Sequence, residues 1–561
     1  MSPRILFVAV LCCGLLVSCG DKSGEKDPMS GAAVVALSGD ADNFNPVVSS
    51  SATSGEIQGS IYPMMFDVYF DLQEGELKFD PGLVLRTERR NGGKDVVLHL
   101  RTDVRWQDGM LVTPEDIKFS YALYGDPEVA SPRRNYVESM IFTDDKFDVD
   151  KSIEIIDDST MVFHFAKQYP LQKFHLNLSP VPAHVYRNAD RKTLRNNPAN
   201  ERPVGAGPFK LEEWVRQQQI ELVRNPTCTL PRPSKLDRVI FRIISEPTTR
   251  LTELKKGTVD VMRPVYPDDV QDIQENNPDI RLETLPPRNY EYIGWMNIDI
   301  EAYHESGGKT IKPHPLFGDR RVRQALTYAI NRKEIMEHEL GPYGELAVTD
   351  FSPIFRWATK HDLIPYPYSP EKARQLLRSA GWSDTNGDGI LDQGGKDFEF
   401  TLYYNIGNKR REYVATVVQK ELKDVGIKVN LQSVEPVVLF DNINNKKYDA
   451  FIAGFQVKLA VDPSDRWGDV SNPFNTVGFQ NERISELLKL GLHVPNIRDA
   501  GPFWKEVQSI IHQEQPCSFL YWVKEIVGVN RRLKSTNINI LGVTDDMYEW
   551  EIGDPNSYMT Y

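Results

Sequence analysis

Apolar positions change period several times along the chain, and the changes predict a mixed α/β protein. Residues 95–101 set Val96, Leu98 and Leu100 against Val97, His99 and Arg101, the alternation of a partly buried strand. Thr113-Pro114-Glu115-Asp116 then supplies a capping hydroxyl, a proline at the first helical position and an acid three residues after the cap. Ile117, Tyr121 and Tyr124 give that helix its apolar face. Residues 153–156 and 161–165 flank Asp157-Asp158-Ser159 and predict a hairpin. Ser369-Pro370-Glu371 opens a second helix whose Ala373, Leu376, Leu377 and Ala380 share one face, and Gly381 closes it. A strand over 398–404, a helix over 413–425 and a strand over 427–434 form a strand-helix-strand crossover. Residues 200–203 and 303–315 have the polar, Gly- and Pro-containing composition of linkers.

At 561 residues the chain exceeds what one hydrophobic core supports, so two or three domains are expected. Hydrophobic content of 40% with 26% charged residues is globular and fits neither wholesale disorder nor a polytopic membrane protein. The formal charge of -13 argues against nucleic acid as a partner, because counterion displacement needs clustered Lys and Arg.

The N-terminus changes the picture. Arg4 precedes an apolar run, residues 5–17, too short to span a bilayer as a mature helix and ending in Leu16-Val17-Ser18-Cys19. This resembles a bacterial lipobox, which implies a signal over 1–18, lipidation of Cys19 and a tether over 19–32 that anchors the protein to a membrane. Cys12 and Cys13 would leave with the signal. Cys228 and Cys517 then remain, structural thiols for which a disulfide stays open and too few for a cysteine-rich zinc site.

Several motifs suggest chemistry and do not carry it. The loop Asp384, Asn386, Asp388 and Asp392 spaces its oxygens as a calcium loop does, yet its twelfth position is Gly395 rather than a bidentate glutamate. It reads first as a polar turn, with a structural calcium ion as the alternative. Gly307-Gly308-Lys309-Thr310 lacks the earlier glycine of a phosphate loop. Neither a Gly-x-Ser-x-Gly elbow nor a His-Glu-x-x-His helix occurs, so the commonest hydrolase signatures are absent, and no cofactor is expected. The paired acids Asp157-Asp158 and Asp545-Asp546 are common in turns and name no catalytic dyad.

A series of words along the chain resembles the bacterial extracellular solute-binding proteins of family 5, the peptide-binding proteins of ABC importers. They run from Leu98-His99-Leu100-Arg101, Val104-Arg105-Trp106-Gln107-Asp108-Gly109 and Thr113-Pro114-Glu115-Asp116-Ile117 to Gly205-Ala206-Gly207-Pro208-Phe209-Lys210-Leu211. Lys235-Leu236-Asp237-Arg238-Val239, Leu254-Lys255-Lys256-Gly257, Asp319-Arg320-Arg321-Val322-Arg323-Gln324-Ala325-Leu326 and Tyr448-Asp449-Ala450 continue in the same order. The resemblance implies an α/β, two-lobed periplasmic binding protein fold of type II in its three-domain, peptide-binding version. One lobe would comprise 33–63, 203–292 and 520–561, with an extra domain over 64–202, and the other lobe 293–519. Crossings near Tyr292 and Phe519 would form a hinge.

By the same resemblance the protein is a monomeric binding protein, not an enzyme. It would be lipid-anchored on the periplasmic or extracytoplasmic face and would pass a peptide or other small polar solute to ABC permease subunits. A surface hydrolase and a ligand-sensing subunit are the alternatives. Expected cleft walls are Asn43, Phe44, Tyr62, Trp295, Asn297, Tyr404, Asn405, Phe455 and Trp467, together with Asp462. Peptide-binding members place an aspartate for the ligand's amino terminus shortly after a Gly-Trp pair. Here the stretch is Gly454-Phe455-Gln456-Val457-Lys458, and Lys458 falls at that place. A lysine in a closed cleft repels an ammonium and favours a carboxylate, a phosphate or sugar hydroxyls.

Overall fold

The computed structural model describes residues 31–553; the expected signal, Cys19 and most of the expected tether lie outside the described residues. One eleven-stranded sheet runs through the molecule. In spatial order it places Phe209–Val215, Gln219–Arg224, Arg238–Ile243, Ala32–Leu37 and Val261–Val265 on one side. Ala450–Gln456, Glu399–Asn405 and Lys428–Val434 lie on the other. Between them lie two long antiparallel strands, Ile280–Trp295 and Cys517–Asn530, the second also carrying the short strand Gly344–Leu346 on part of its edge.

The long strands belong to both lobes, and proline sets where they change allegiance. Pro286 and Pro287 have no N–H to donate, so the ladder cannot continue through them. The register shifts between the pairs Leu285↔Glu525 and Asn289↔Val523. Before that break the strands adjoin Val261–Val265; after it, residues 289–295 pair with Ala450–Gln456. The crossings expected at Tyr292 and Phe519 are therefore displaced. Those two residues are Cα partners within the second lobe, and the change of neighbours occurs over 286–288 and near Lys524.

Residues 84–164 build a separate four-stranded sheet in the order Val84–Arg90, Asp95–Leu100, Thr160–His164, Ile153–Asp157, with a hairpin, Phe66–Asp71 and Glu76–Pro81, beside it. This region shares one continuous core with the first lobe, in which Trp106, Tyr121 and Phe163 join Phe44, Ile57 and Phe209. The second lobe has its own cores, around Trp467 and Trp504 and around Trp295 and Phe400.

Local signals explain the elements. Thr113 and Asp116 form a reciprocal capping box ahead of Pro114–Gly125. The crossover is present as parallel strands Glu399–Asn405 and Lys428–Val434. Its helix begins at Lys409 rather than 413, because the Asn408 side chain accepts from the Arg411 backbone and caps it earlier. The segment 303–315 is only partly a linker, since Tyr303 to Glu305 close a short helix capped by Asp299. Cys228 and Cys517 are both free thiols, so the open question of a disulfide resolves against pairing.

Candidate ligand-binding cleft

The helix Ala52–Ile61 borders the gap between the lobes, and its sequence keeps that border bare. A Cβ at Gly55 or Gly59 would stand in open space, and both glycines line the gap. The helix end is fixed by Gly205 and Gly207, where a Cβ would lie 2.0 Å from the Ile61 carbonyl oxygen and 2.5 Å from that of Ser60. Gly207 donates its N–H to Ile61 at 2.8 Å. The glycines of this word are thus there for close backbone approach.

Two adjoining cavities, of about 320 and 330 Å³, share Gly55, Gly59, Ser60 and Asp545. The first lies between the first lobe and the extra domain, with Tyr62, Asp67, Tyr124, Arg133, Tyr136 and Arg232 in its walls. The second lies across the hinge, where Glu56 and Arg263 of the first lobe face Asn289, Gln456 and Val523 of the second. Together they have the size and mixed polar lining of a small-solute or short-peptide site.

Most charges in these walls are already paired. Arg263 donates to Glu56 at 2.7 Å and to Glu525 at 3.2 Å. Burial works against its charge, but the two carboxylates hold its pKa above the ordinary value. Thr544 donates to the other Glu56 oxygen at 3.0 Å. Arg232 joins Asp67 and Asp546 and lies 4.9 Å from the Tyr548 ring centre. Arg288, beside the two hinge prolines, donates to the Ile540 carbonyl at 2.7 Å and the Val457 carbonyl at 3.2 Å, tying the hinge to the second lobe and to the C-terminal segment. Burial lowers its pKa to about 10, so it remains charged at neutral pH.

The residues expected from the sequence are dispersed. Tyr62 lines the first cavity. Phe455, Lys458 and Asp462 come together around a smaller hollow of about 50 Å³ with Asp350 and Arg466. Lys458 pairs with Asp465, so its charge is already answered. Asp462 accepts from the Ser464 backbone at 2.9 Å and from the Tyr169 hydroxyl of the extra domain at 3.4 Å.

Four expected walls are buried away from both cavities, and a fifth, partly buried, packs on a core. Phe44 is wholly buried, edge-on to Trp214. Trp295 is wholly buried, its indole donating to Ser518 at 2.9 Å, and Trp467 donates to Asp350 at 2.8 Å inside a core. Asn297 spends its amide on the carbonyls of Trp295, Val477 and Pro516. Tyr404 packs on the second-lobe core.

The remaining two serve other contacts. Asn405 accepts from Arg411 at 2.7 Å, itself paired with Glu291. Asn43 lines a different hollow with Asp42, Arg195 and Arg216, and its side chain caps the Asn45 N–H.

The calcium loop is likewise satisfied internally. Asp384 accepts from the Gly387 and Gly389 backbones, and Asp392 from Thr385. Among the described residues no group of three or more His, Cys, Asp or Glu is arranged to hold a metal.

A two-lobed molecule with shared strands and a cavity at the lobe junction matches the family model of bacterial extracellular solute-binding proteins, family 5 Middle, over residues 78–473. The chain belongs to this family. It is therefore a binding protein of the transport class, not an enzyme, and its family works outside the cytoplasm. The oligopeptide-binding protein AppA of Bacillus subtilis is 29% identical over 92% of this chain and 91% of its own. Heme-binding protein A of Haemophilus influenzae is 24% identical over 84% of each.

The structure of AppA from Bacillus subtilis in complex with a nonapeptide superposes with a TM-score of 0.75 at 27% identity, covering 93% of this chain and 99% of that one. NikZ from Campylobacter jejuni in complex with Ni(L-His) shares the fold, with a TM-score of 0.76 at 22% identity over 93% and 99% of the two chains.

Periodicity could not have found the residues that line the junction: Glu56, Arg263, Arg288, Gln456, Glu525 and Asp545. They come from six separate segments and carry no shared spacing.

Proposed function

We propose that the protein is the lipid-anchored capture subunit of an ABC importer, closing its lobes on a peptide or other small polar solute and delivering it to membrane permease subunits. The observation that carries this reading is the cavity whose walls come from both lobes beside a proline-broken hinge, continued by an adjoining cavity between the first lobe and the extra domain. Closure of such a junction buries the solute and gives the permease a shape to recognise. AppA, whose sequence aligns over most of both chains, binds oligopeptides, which favours a peptide.

Mass spectrometry of solute retained through mild purification tests the ligand. A discrete peptide or polar solute is expected, and a protein that binds none, with no thermal shift across a peptide library, would overturn the reading. Anchoring is tested separately, because Cys19→Ser should abolish labelling by a radioactive fatty acid.

A further inference from the structure

The neighbouring acids Asp545 and Asp546 are used in different ways. Asp546 is fully engaged: it accepts from the Tyr548 hydroxyl at 2.9 Å and from the Asn539 amide at 2.8 Å, and Arg232 pairs with it at 3.3 Å. Asp545 lines both cavities and, among the described residues, its side chain makes neither an ion pair nor a hydrogen bond.

The charges around it do not balance locally. Asp67, Asp545 and Asp546 gather about the single guanidinium of Arg232. Arg263 is occupied by Glu56 and Glu525. The other wall guanidiniums face carbonyl oxygens: Arg288 as described, and Arg133 toward Pro46 at 2.7 Å and Ser49 at 3.1 Å. Withdrawing a carboxylate from water without a partner is costly, so a charge kept this way at a cavity junction points to a partner that arrives with the solute.

We infer that Asp545 pairs with a cationic group of the captured solute, an ammonium or guanidinium, so that the cleft selects positively charged solutes. The inference rests on the junction being the capture site. Burial, with Asp546 and Asp67 nearby and Arg232 opposing them, pushes Asp545 up to about 7. Asp67 rises to about 6, chiefly through burial. An arriving cation favours ionised Asp545 and expels its proton, so capture weakens as pH falls from 8 to 5.

The test uses the full chain and a random tetrapeptide pool, offered with free amino termini or N-acetylated. Retention is read by mass spectrometry. Wild type should prefer free amines by about tenfold or more, on the scale of one charge-assisted contact. Asp545→Asn should reduce the preference below about threefold, while Asp545→Glu keeps it; circular dichroism checks that both variants fold. Equal retention of the two pools by wild type, or an undiminished preference in Asp545→Asn, overturns the inference.

If wild type retains neither pool, the peptide reading fails, and a second arm decides the inference alone. Spermidine, arginine and choline are compared with glucose and citrate by thermal shift. A shift by cations that Asp545→Asn lacks upholds the role of Asp545; none for any cation overturns it.

Discussion

At the scale of single residues, Asp545 differs from the charged groups beside it in the cavity walls, which are paired. Asp545 shows its imbalance in stability as well as in binding. Its pKa is raised in the folded protein, so the folded state holds the proton more tightly than the unfolded chain does. Folding therefore takes up protons between pH about 4 and 7, and stability falls as pH rises through that window. The groups facing it, Asp546, Asp67, Arg232 and Tyr548, remain in Asp545→Asn. That variant should exceed wild type by about 1–2 kcal/mol at pH 8, with the gap narrowing as pH falls and closing near pH 4, in urea unfolding followed by fluorescence.

Arg466 presents the opposite case. It is buried among Tyr292, Phe455 and Trp467, with ring centres 4.9, 5.0 and 5.5 Å from its guanidinium, and Asp350 lies 3.8 Å away. Asp350→Ala leaves that guanidinium buried without its carboxylate and should cost about 3–5 kcal/mol in the same assay. A loss under about 1 kcal/mol would show that the aromatic rings suffice.

Among elements, the hairpin formed by Phe66–Asp71 and Glu76–Pro81 couples the extra domain to the second lobe. The Trp357 indole donates to the Gly75 carbonyl at 2.9 Å, and Arg498 donates to Glu76 at 2.8 Å and also pairs with Glu74. Gly75 permits this seat: its φ is +70°, and a Cβ would lie 2.6 Å from the Ile354 carbonyl oxygen and 2.7 Å from the Arg356 nitrogen. Gly75→Val should lift the hairpin off the second lobe. Small-angle scattering of the solute-loaded variant should give a larger radius of gyration than wild type, and identical curves would assign the contact no part in closure. Arg498→Ala, which removes partly exposed ion pairs, should change stability by less than about 1 kcal/mol.

In the molecule as a whole, two long strands are shared by bodies whose main cores differ, and a single core runs through the first lobe and the region over 84–164. Solute that binds the closed form alone should stabilise the protein by about 2.7 kcal/mol at a hundredfold excess over Kd. Calorimetry of the wild type with its retained solute removed and restored checks this. Replacing Pro286 and Pro287 together by alanine restores two ladder donors at the hinge, so it should stiffen the crossing and slow solute release in stopped-flow fluorescence.

Much of this protein was determined within short stretches of its sequence. The cap at Thr113 depends on neighbours a few residues away and the crossover over 399–434 on one contiguous stretch, so pattern exposes them; the glycines at 205 and 207 answer to the distant Ser60 and Ile61 and show only through the family words. The chain's place among solute-binding proteins follows from those words. Which residues face the solute was decided only by tertiary structure. Phe44, Trp295 and Trp467 look like cleft walls in sequence, yet burial of large apolar area drew them into cores. Asp545 and Asp546 look alike in sequence; Asn537, Asn539, Tyr548 and Arg232 surround one and leave the other facing the cavities. Burial and pairing depend on what the fold brings near from distant segments, and spacing along the chain does not encode them.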